Sequence, residues 1–304
     1  MSMTRFSVAL WATNLTPRLN GVDAWIAGID AKLAEARAQG ADLLVMPEYA
    51  CGQWLSFAPQ GTTVQQEIPW MARQVPGALQ RLRPLVARHG IALLAGTMPV
   101  AAGARHVNRA FLLLPDGAEH GQDKLCLTPG EADPKDWNML PGDRFSVIEW
   151  RGLRLGVAVC LDIELPALSV VLSGLDLDVI LVPSNTDSLA GYHRVFDCAK
   201  ARAVETQAIV CAVGTIGDMP YCAEPYNNVA GAAAYVPCEE ALGCTGTLAS
   251  LPPLANTDGD GPMLVVRDLP IDTVRRMRAG GAGVWPGAWS ARHLSLNDPR
   301  GSKI

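Results

Sequence analysis

An α/β fold is predicted by two features of the chain taken together: apolar runs of strand length recur along it, and segments with apolar residues at helical spacing separate them. A third observation concerns size, because 49% of the 304 residues are hydrophobic, enough to fill one large core. The 29 Gly and 22 Pro, about one residue in six, stay below the level of a low-complexity chain. The alternation therefore reads as one α/β domain with a covered sheet.

Phe6 to Trp11 is the opening strand, and Val22, Trp25, Ile26, Ile29 and Leu33 follow at helical spacing until Gly40 stops the helix. Leu43 to Met46 is short and apolar throughout, as buried strands are. A helix from Leu79 to His89 precedes strands at Ile91 to Thr97 and Ala110 to Leu114. The turn Pro115-Asp116-Gly117 then leads into an extended piece ending near Leu125. Leu153 to Val159 and Val179 to Val182 are β-rich, with a helix from Pro166 to Leu172 between them, and a helix from Tyr192 to Thr206 precedes the strand Ala208 to Val213. Glu239 to Gly261, rich in Gly, Pro and Thr, reads as a long surface loop. Residues 1–270 are expected to form the domain and 271–304 a C-terminal arm whose Trp285 and Trp289 dock on a partner subunit.

The net charge of −5 has no basic counterweight beyond the short run Arg275-Arg276-Met277-Arg278, so nucleic acid and anionic membranes are not expected as partners. No apolar stretch reaches the roughly 18–20 residues that span a bilayer, and the first ten residues lack a hydrophobic signal core, so a soluble cytoplasmic protein is expected. Only 18% of residues are charged, against roughly 25% in ordinary soluble domains, a hint that some surface is buried between subunits. The eight cysteines form no C-x-x-C pair, and Cys238 and Cys244 lack a neighbouring His. No metal site and no cofactor are expected, and most of the thiols read as small buried hydrophobes.

Three segments share a pattern in which an apolar strand runs into a reactive side chain and a turn: Leu43-Leu44-Val45-Met46-Pro47-Glu48, Gln122-Asp123-Lys124-Leu125, and Leu155-Gly156-Val157-Ala158-Val159-Cys160. Each alone has a plainer explanation: an exposed strand-end acid, a solvated lysine, an inert buried thiol. Together, at the ends of adjacent strands, they make a nucleophilic site. A thiol is mostly protonated at neutral pH and needs a base, and a carboxylate shielded from water can serve as one. The Lys124 ammonium and the backbone N–H of Leu161 can then hold the developing oxyanion. All three roles are filled without a histidine.

These segments resemble the motifs of the nitrilase superfamily of carbon–nitrogen hydrolases, here Met46-Pro47-Glu48, Asp123-Lys124-Leu125 and Cys160-Leu161-Asp162 with Pro166. Glu48 precedes Lys124 by 76 residues and Lys124 precedes Cys160 by 36. Val182-Pro183-Ser184-Asn185 and Ala201-Arg202-Ala203-Val204-Glu205-Thr206-Gln207 add to the resemblance, which spans roughly residues 5 to 270. It implies a four-layer α-β-β-α sandwich, a homodimer, and a Glu48-Lys124-Cys160 triad that cleaves a carbon–nitrogen bond through a thioester on Cys160. It also implies a second glutamate that orders the site, at Glu131, for which the plainer reading is a helix-capping acid. Leu161-Asp162 after the cysteine resembles the amidase-like branches, favouring an amide or carbamoyl substrate over a nitrile. Glu164 stands where several carboxylate-binding branches carry an arginine; it either suits an amine-bearing substrate or caps the helix beginning near Pro166, and capping is the preferred reading. Tyr49, Trp137 and Asn185 are candidate substrate-binding residues, with Cys51 and Trp54 close to the same segments.

Three alternatives stand beside this reading: nitrile hydrolysis by the same triad, a Cys-His amidohydrolase using His193, and a catalytically silent binding protein. A Cys-His pair leaves Glu48 and Lys124 unexplained, and the silent protein leaves a complete triad without a task.

Overall fold

The computed structural model describes residues 5–283 and 295. In chain order, β1 (Val8–Trp11), α1 (Val22–Ala38), β2 (Leu43–Val45), α2 (Val64–His89), β3 (Ala92–Ala102), β4 (Arg105–Leu113), β5 (Glu119–Asp123), α3 (Pro129–Ala132) and β6 (Met139–Leu140) build the first half. The second half comprises β7 (Ile148–Trp150), β8 (Leu153–Val157), α4 (Pro166–Ser173), β9 (Val179–Ser184), α5 (Leu189–Thr206) and β10 (Ile209–Gly214). It continues with β11 (Gly217–Met219), β12 (Tyr226–Asn228), β13 (Ala230–Tyr235), β14 (Thr247–Leu254), β15 (Met263–Val266) and α6 (Ile271–Arg276).

The strands form two main sheets rather than the single sheet that the alternation alone suggests. One runs β15-β1-β2-β3-β4-β5, with β6 attached to β4; the other runs β14-β13-β10-β9-β8-β7. Each has a parallel centre, β1-β2-β3 and β8-β9-β10, flanked by antiparallel strands. Alternation along a strand explains the stacking, since successive side chains point to opposite faces. Val8 and Leu10 face the core shared with β8, β9 and β10, whereas Ala9 and Trp11 face Trp25, Ile29 and Leu33 of α1 and Ile68, Met71 and Leu82 of α2. On the far side, Val195, Phe196 and Ala199 of α5 cover the second sheet. The result is the α-β-β-α sandwich.

Several segments depart from expectation for identifiable reasons. Helix α2 begins at Val64, fifteen residues before the expected start, and contains Pro69, Pro76 and Pro84. Proline normally argues against a helix interior, but nine buried residues, among them Met71, Val75 and Leu79, hold this one against the sheet. The segment expected as a loop, 239–261, contains the strand β14. Its Pro252 and Pro253 are tolerated because β14 lies at a sheet edge, where no further strand needs their N–H groups. Its partner β13 is built of Ala, Gly and Tyr and carries little β-propensity in sequence. The start of the tail packs on the body of the chain: Ile271 and Val274 are buried, and Arg275 donates to both carboxylate oxygens of the buried Asp178 at 2.8 and 2.6 Å. Arg278 reaches the same Asp178 at 3.1 Å, so two arginines of the basic run are spent internally. Trp285 and Trp289 lie outside the described residues.

Candidate active site

Cys160 follows β8 in a tight turn, with its backbone in the left-handed region at φ 48°. That conformation costs a non-glycine residue about 1–2 kcal/mol and is held by its surroundings. Asp162, two residues on, accepts the N–H groups of Val159 at 3.0 Å, Leu125 at 3.0 Å and Cys126 at 2.8 Å. A single buried carboxylate thus ties the cysteine turn to the segment carrying Lys124. Burial outweighs these bonds and raises Asp162 to about 6. Arg202 of α5 closes the turn from behind, donating to the carbonyls of Ile163 and Glu164 at 3.0 and 3.2 Å. This gives the Ala201–Gln207 segment its role as support for the cysteine turn.

The glutamate, the lysine and the cysteine do not sit at the ends of adjacent strands. Glu48 follows β2 and Lys124 follows β5, with β3 and β4 between them, and Cys160 belongs to the other sheet. The side chains converge because β4 fills the gap with Asn108 and because the two sheets stack. Lys124 Nζ donates to Glu48 Oε1 at 2.8 Å and to Glu131 Oε2 at 2.7 Å. Asn108 Nδ2 donates to Glu48 Oε1 at 2.8 Å and Glu131 Oε1 at 3.2 Å. Glu48 Oε2 accepts the N–H of Asn185 at 3.0 Å, and the Cys160 thiol points at the Asn185 carbonyl at 3.5 Å. Asn185 thereby touches both base and nucleophile through its backbone.

Glu131 serves two purposes. It closes a capping box at the start of α3, its Oε2 accepting from Thr128 N–H at 2.9 Å, and the same oxygen accepts from Lys124 Nζ, so the capping reading does not exclude a place in the cluster. Tyr49 donates its hydroxyl to Glu131 Oε1 at 3.0 Å and stacks edge-on against Trp137, centroids 4.9 Å apart.

The protonation pattern follows from burial, which is nearly complete for Glu48, Lys124, Glu131 and Cys160. Desolvation pushes Glu48 up to about 7 against the pull of Lys124, while the Glu131 charge reinforces the rise. Burial also pushes Glu131 upward, but the Lys124 ammonium, Thr128 and Tyr49 reverse this and leave it below the usual range. Burial alone would lower Lys124, yet the two carboxylates hold its ammonium above the ordinary lysine value. Cys160 is raised by burial and by Glu48, so it rests as the thiol. Burial and the shared lysine thus push the two carboxylates in opposite directions, Glu48 up and Glu131 down.

A cavity of about 610 Å³ opens over these groups, lined also by Leu161, Trp137, Asn185 and Tyr226. Trp137 is held by Glu67 of α2, which accepts its indole N–H at 3.3 Å and the Ala223 N–H at 2.7 Å. Other residues behave differently from expectation. Glu164 caps nothing: helix α4 has Leu165 at its N-cap, and Glu164 lines the cavity and pairs with Arg194 of α5 at 3.5 Å. His193 does not line the cavity; its exposed ring pairs with Asp197 at 3.5 Å, so it is not placed to serve Cys160. Trp54 and Cys51 are core residues, the first packed edge-on against Trp25 and the second against the Thr97 carbonyl. Asn108, Glu67 and Arg194 are cavity or cluster residues that sequence reasoning missed. Asn108 lies in the polar first half of β4, between Val107 and Arg109, where nothing marks it out, and the other two lie on helices whose spacing says nothing about the cavity.

The family model for carbon–nitrogen hydrolases matches residues 9–244. Among curated relatives, a probable hydrolase YhcX of Bacillus subtilis is 26% identical over 79% of this chain and 45% of its own length. An (R)-stereoselective amidase of Pseudomonas sp. is 34% identical over 58% of this chain and 60% of its own. This chain therefore spans about half the length of these two relatives. Among solved structures, a cysteine-to-serine mutant of the Nesterenkonia AN1 amidase from the nitrilase superfamily superimposes with a TM-score of 0.66 at 25% identity, covering 90% of this chain and 95% of that one. With the fold, the cluster around Cys160 and the family match in agreement, the chain belongs to the carbon–nitrogen hydrolase family.

Proposed function

We propose that the protein hydrolyses a small amide, with Cys160 as nucleophile, Glu48 as general base and acid, and Lys124 with the Leu161 N–H as the oxyanion site. The observation that carries this reading is the Cys160 thiol at the floor of a cavity beside a Glu48 poised near neutrality and tied to Lys124. Glu48 takes the thiol proton as sulfur bonds to the amide carbon and the carbonyl electron pair moves onto oxygen. Two of the three ammonium donors of Lys124 bind carboxylates, leaving the third for that oxygen. Glu48 returns the proton to nitrogen, the carbon–nitrogen bond breaks and ammonia or an amine leaves. Water, deprotonated by Glu48, then cleaves the thioester and restores the thiol.

Substrate charge follows from the lining. Among the described residues its cations are Lys124 and Arg194, both facing carboxylates, while Glu67, Asp136, Asp187 and Glu224 add negative charge. This supports neutral or amine-bearing amides over those carrying a free carboxylate. Ammonia release from a panel of aliphatic amides, amine-bearing amides, carboxylate-bearing monoamides, N-carbamoyl compounds and nitriles tests this. Neutral or cationic amides should lead, and a nitrile or carboxylate-bearing leader would overturn the assignment. The relatives named as amidases and omega-amidases support the amide class.

The reading extends to a cytoplasmic homodimer. Eight free thiols fit a reducing compartment, and Val170 and Val171 stand exposed side by side on α4, as a subunit face would require. A clean monomer in sedimentation at micromolar concentration would contradict the dimer. No helix among the described residues is long and apolar enough to cross a membrane.

A further inference from the structure

Asn108 occupies a position that the triad leaves without a role. It lies on β4, fully buried, and is the only uncharged side chain among the described residues that bonds to both Glu48 and Glu131. Its amide group has two N–H donors, and both are used on these carboxylates at 2.8 and 3.2 Å. The backbone carbonyl of the same residue accepts the Lys124 N–H at 2.8 Å. One residue therefore fixes the main chain of the lysine and the side chains of both acids. The orientation of the amide is set by these partners, since the flipped form would turn its oxygen onto two carboxylates.

The oxygens of Glu48 are not equivalent as a result. Oε1 accepts from both Lys124 and Asn108, whereas Oε2 accepts a single N–H, that of Asn185, whose carbonyl the Cys160 thiol faces. We propose that Asn108 is a positioning residue which saturates Glu48 Oε1, leaves Oε2 as the oxygen that exchanges the proton with Cys160, and holds the base ionised beside the charge of Glu131. This rests on the thioester reading above. Asn108 touches neither nucleophile nor cavity, so its effect passes through Glu48.

A structural role and a positioning role separate cleanly here. Asn108 Oδ1 is buried without a hydrogen-bond partner among the described residues, so an apolar side chain of similar size removes an unsatisfied group, which offsets part of the cost of losing the two donors. The experiment compares wild type, Asn108→Leu and Asn108→Asp in two assays across pH: kcat/KM for ammonia release, and the rate of Cys160 alkylation by iodoacetamide read by peptide mass. Loss of a hydrogen bond to an ionised group predicts roughly a fivefold fall in kcat/KM at pH 7 for Asn108→Leu, the share of ionised Glu48 lost when its pKa rises by about one unit from about 7. The acid limb of both profiles should move up by about one pH unit. Asn108→Asp, which places a third carboxylate against the pair, should move it further. If Asn108→Leu does not fold, the aspartate variant carries the same test. Folded variants whose acid limbs coincide with wild type overturn the inference, even if their rates fall. Should wild type itself neither release ammonia nor alkylate at Cys160, the thioester reading fails instead, a distinguishable result.

Discussion

The floor and the rim of the cavity contain the same kind of interaction and put it to different use. At the floor, Lys124 meets Glu48 and Glu131 at 2.8 and 2.7 Å with all three side chains at most 3% exposed. At the rim, Glu164 meets Arg194 at 3.5 Å with the arginine 65% exposed. Water screens the rim pair, whose contribution to stability is at most about 1 kcal/mol. Removed from water, the floor charges depend on one another, and their pKa values spread apart until one acid carries protons and the other stays ionised. Desolvation, more than the identity of the paired residues, separates a chemical site from a surface contact. Substitutions across the two regions should therefore differ by orders of magnitude.

The largest effect belongs to Cys160→Ala, which removes the attacking atom and should lower kcat by roughly 10⁴-fold or more, read as ammonia release. Lys124→Ala leaves Glu48 and Glu131 facing each other without a cation and takes away the proposed oxyanion donor, for a loss of roughly 10²- to 10³-fold. His193→Ala, on the exposed face of α5, should leave the rate within about twofold; the reverse order of these two results would break the comparison. In wild type, kcat/KM should fall tenfold per pH unit below about 7, because Glu48 must be ionised to accept the thiol proton and its pKa is raised to about 7. Lys124, held above its ordinary value, sets no alkaline limb near neutrality. Asp162→Asn exchanges an acceptor of three N–H groups for a side chain with one oxygen and should cost about 1–3 kcal/mol of stability, read as a lower denaturant midpoint. Arg194→Ala, at the rim, is expected to change rates only a few-fold and to do so more at low salt than high.

Much of the site was legible before the fold, because strand-to-turn junctions put Glu48, Lys124 and Cys160 in recognisable surroundings. Glu131 was legible only through the family resemblance, since its Thr128 capping box is an ordinary helix start. Asn108 was not legible at all as a site residue: its partners lie 60 and 23 residues away, and only the β4 register brings them together. Glu164 was misassigned because the local rule for helix starts favoured a cap, while its actual partner, Arg194, comes from a helix that packs against the turn in three dimensions. The early turns of α2 and the strands β13 and β14 escaped for a related reason. Prolines and alanines carry the wrong local propensity there, and tertiary packing and edge position override it.

The central claim is a covalent acyl intermediate on Cys160, and hydroxylamine partitioning tests it most directly. An amide and an ester of the same acyl group, each turned over in the presence of hydroxylamine, pass through one common thioester in this account. The ratio of hydroxamate to free acid must then be the same from both, and both products must vanish in Cys160→Ala. Ratios that differ between amide and ester, or hydroxamate still formed by Cys160→Ala, would contradict it.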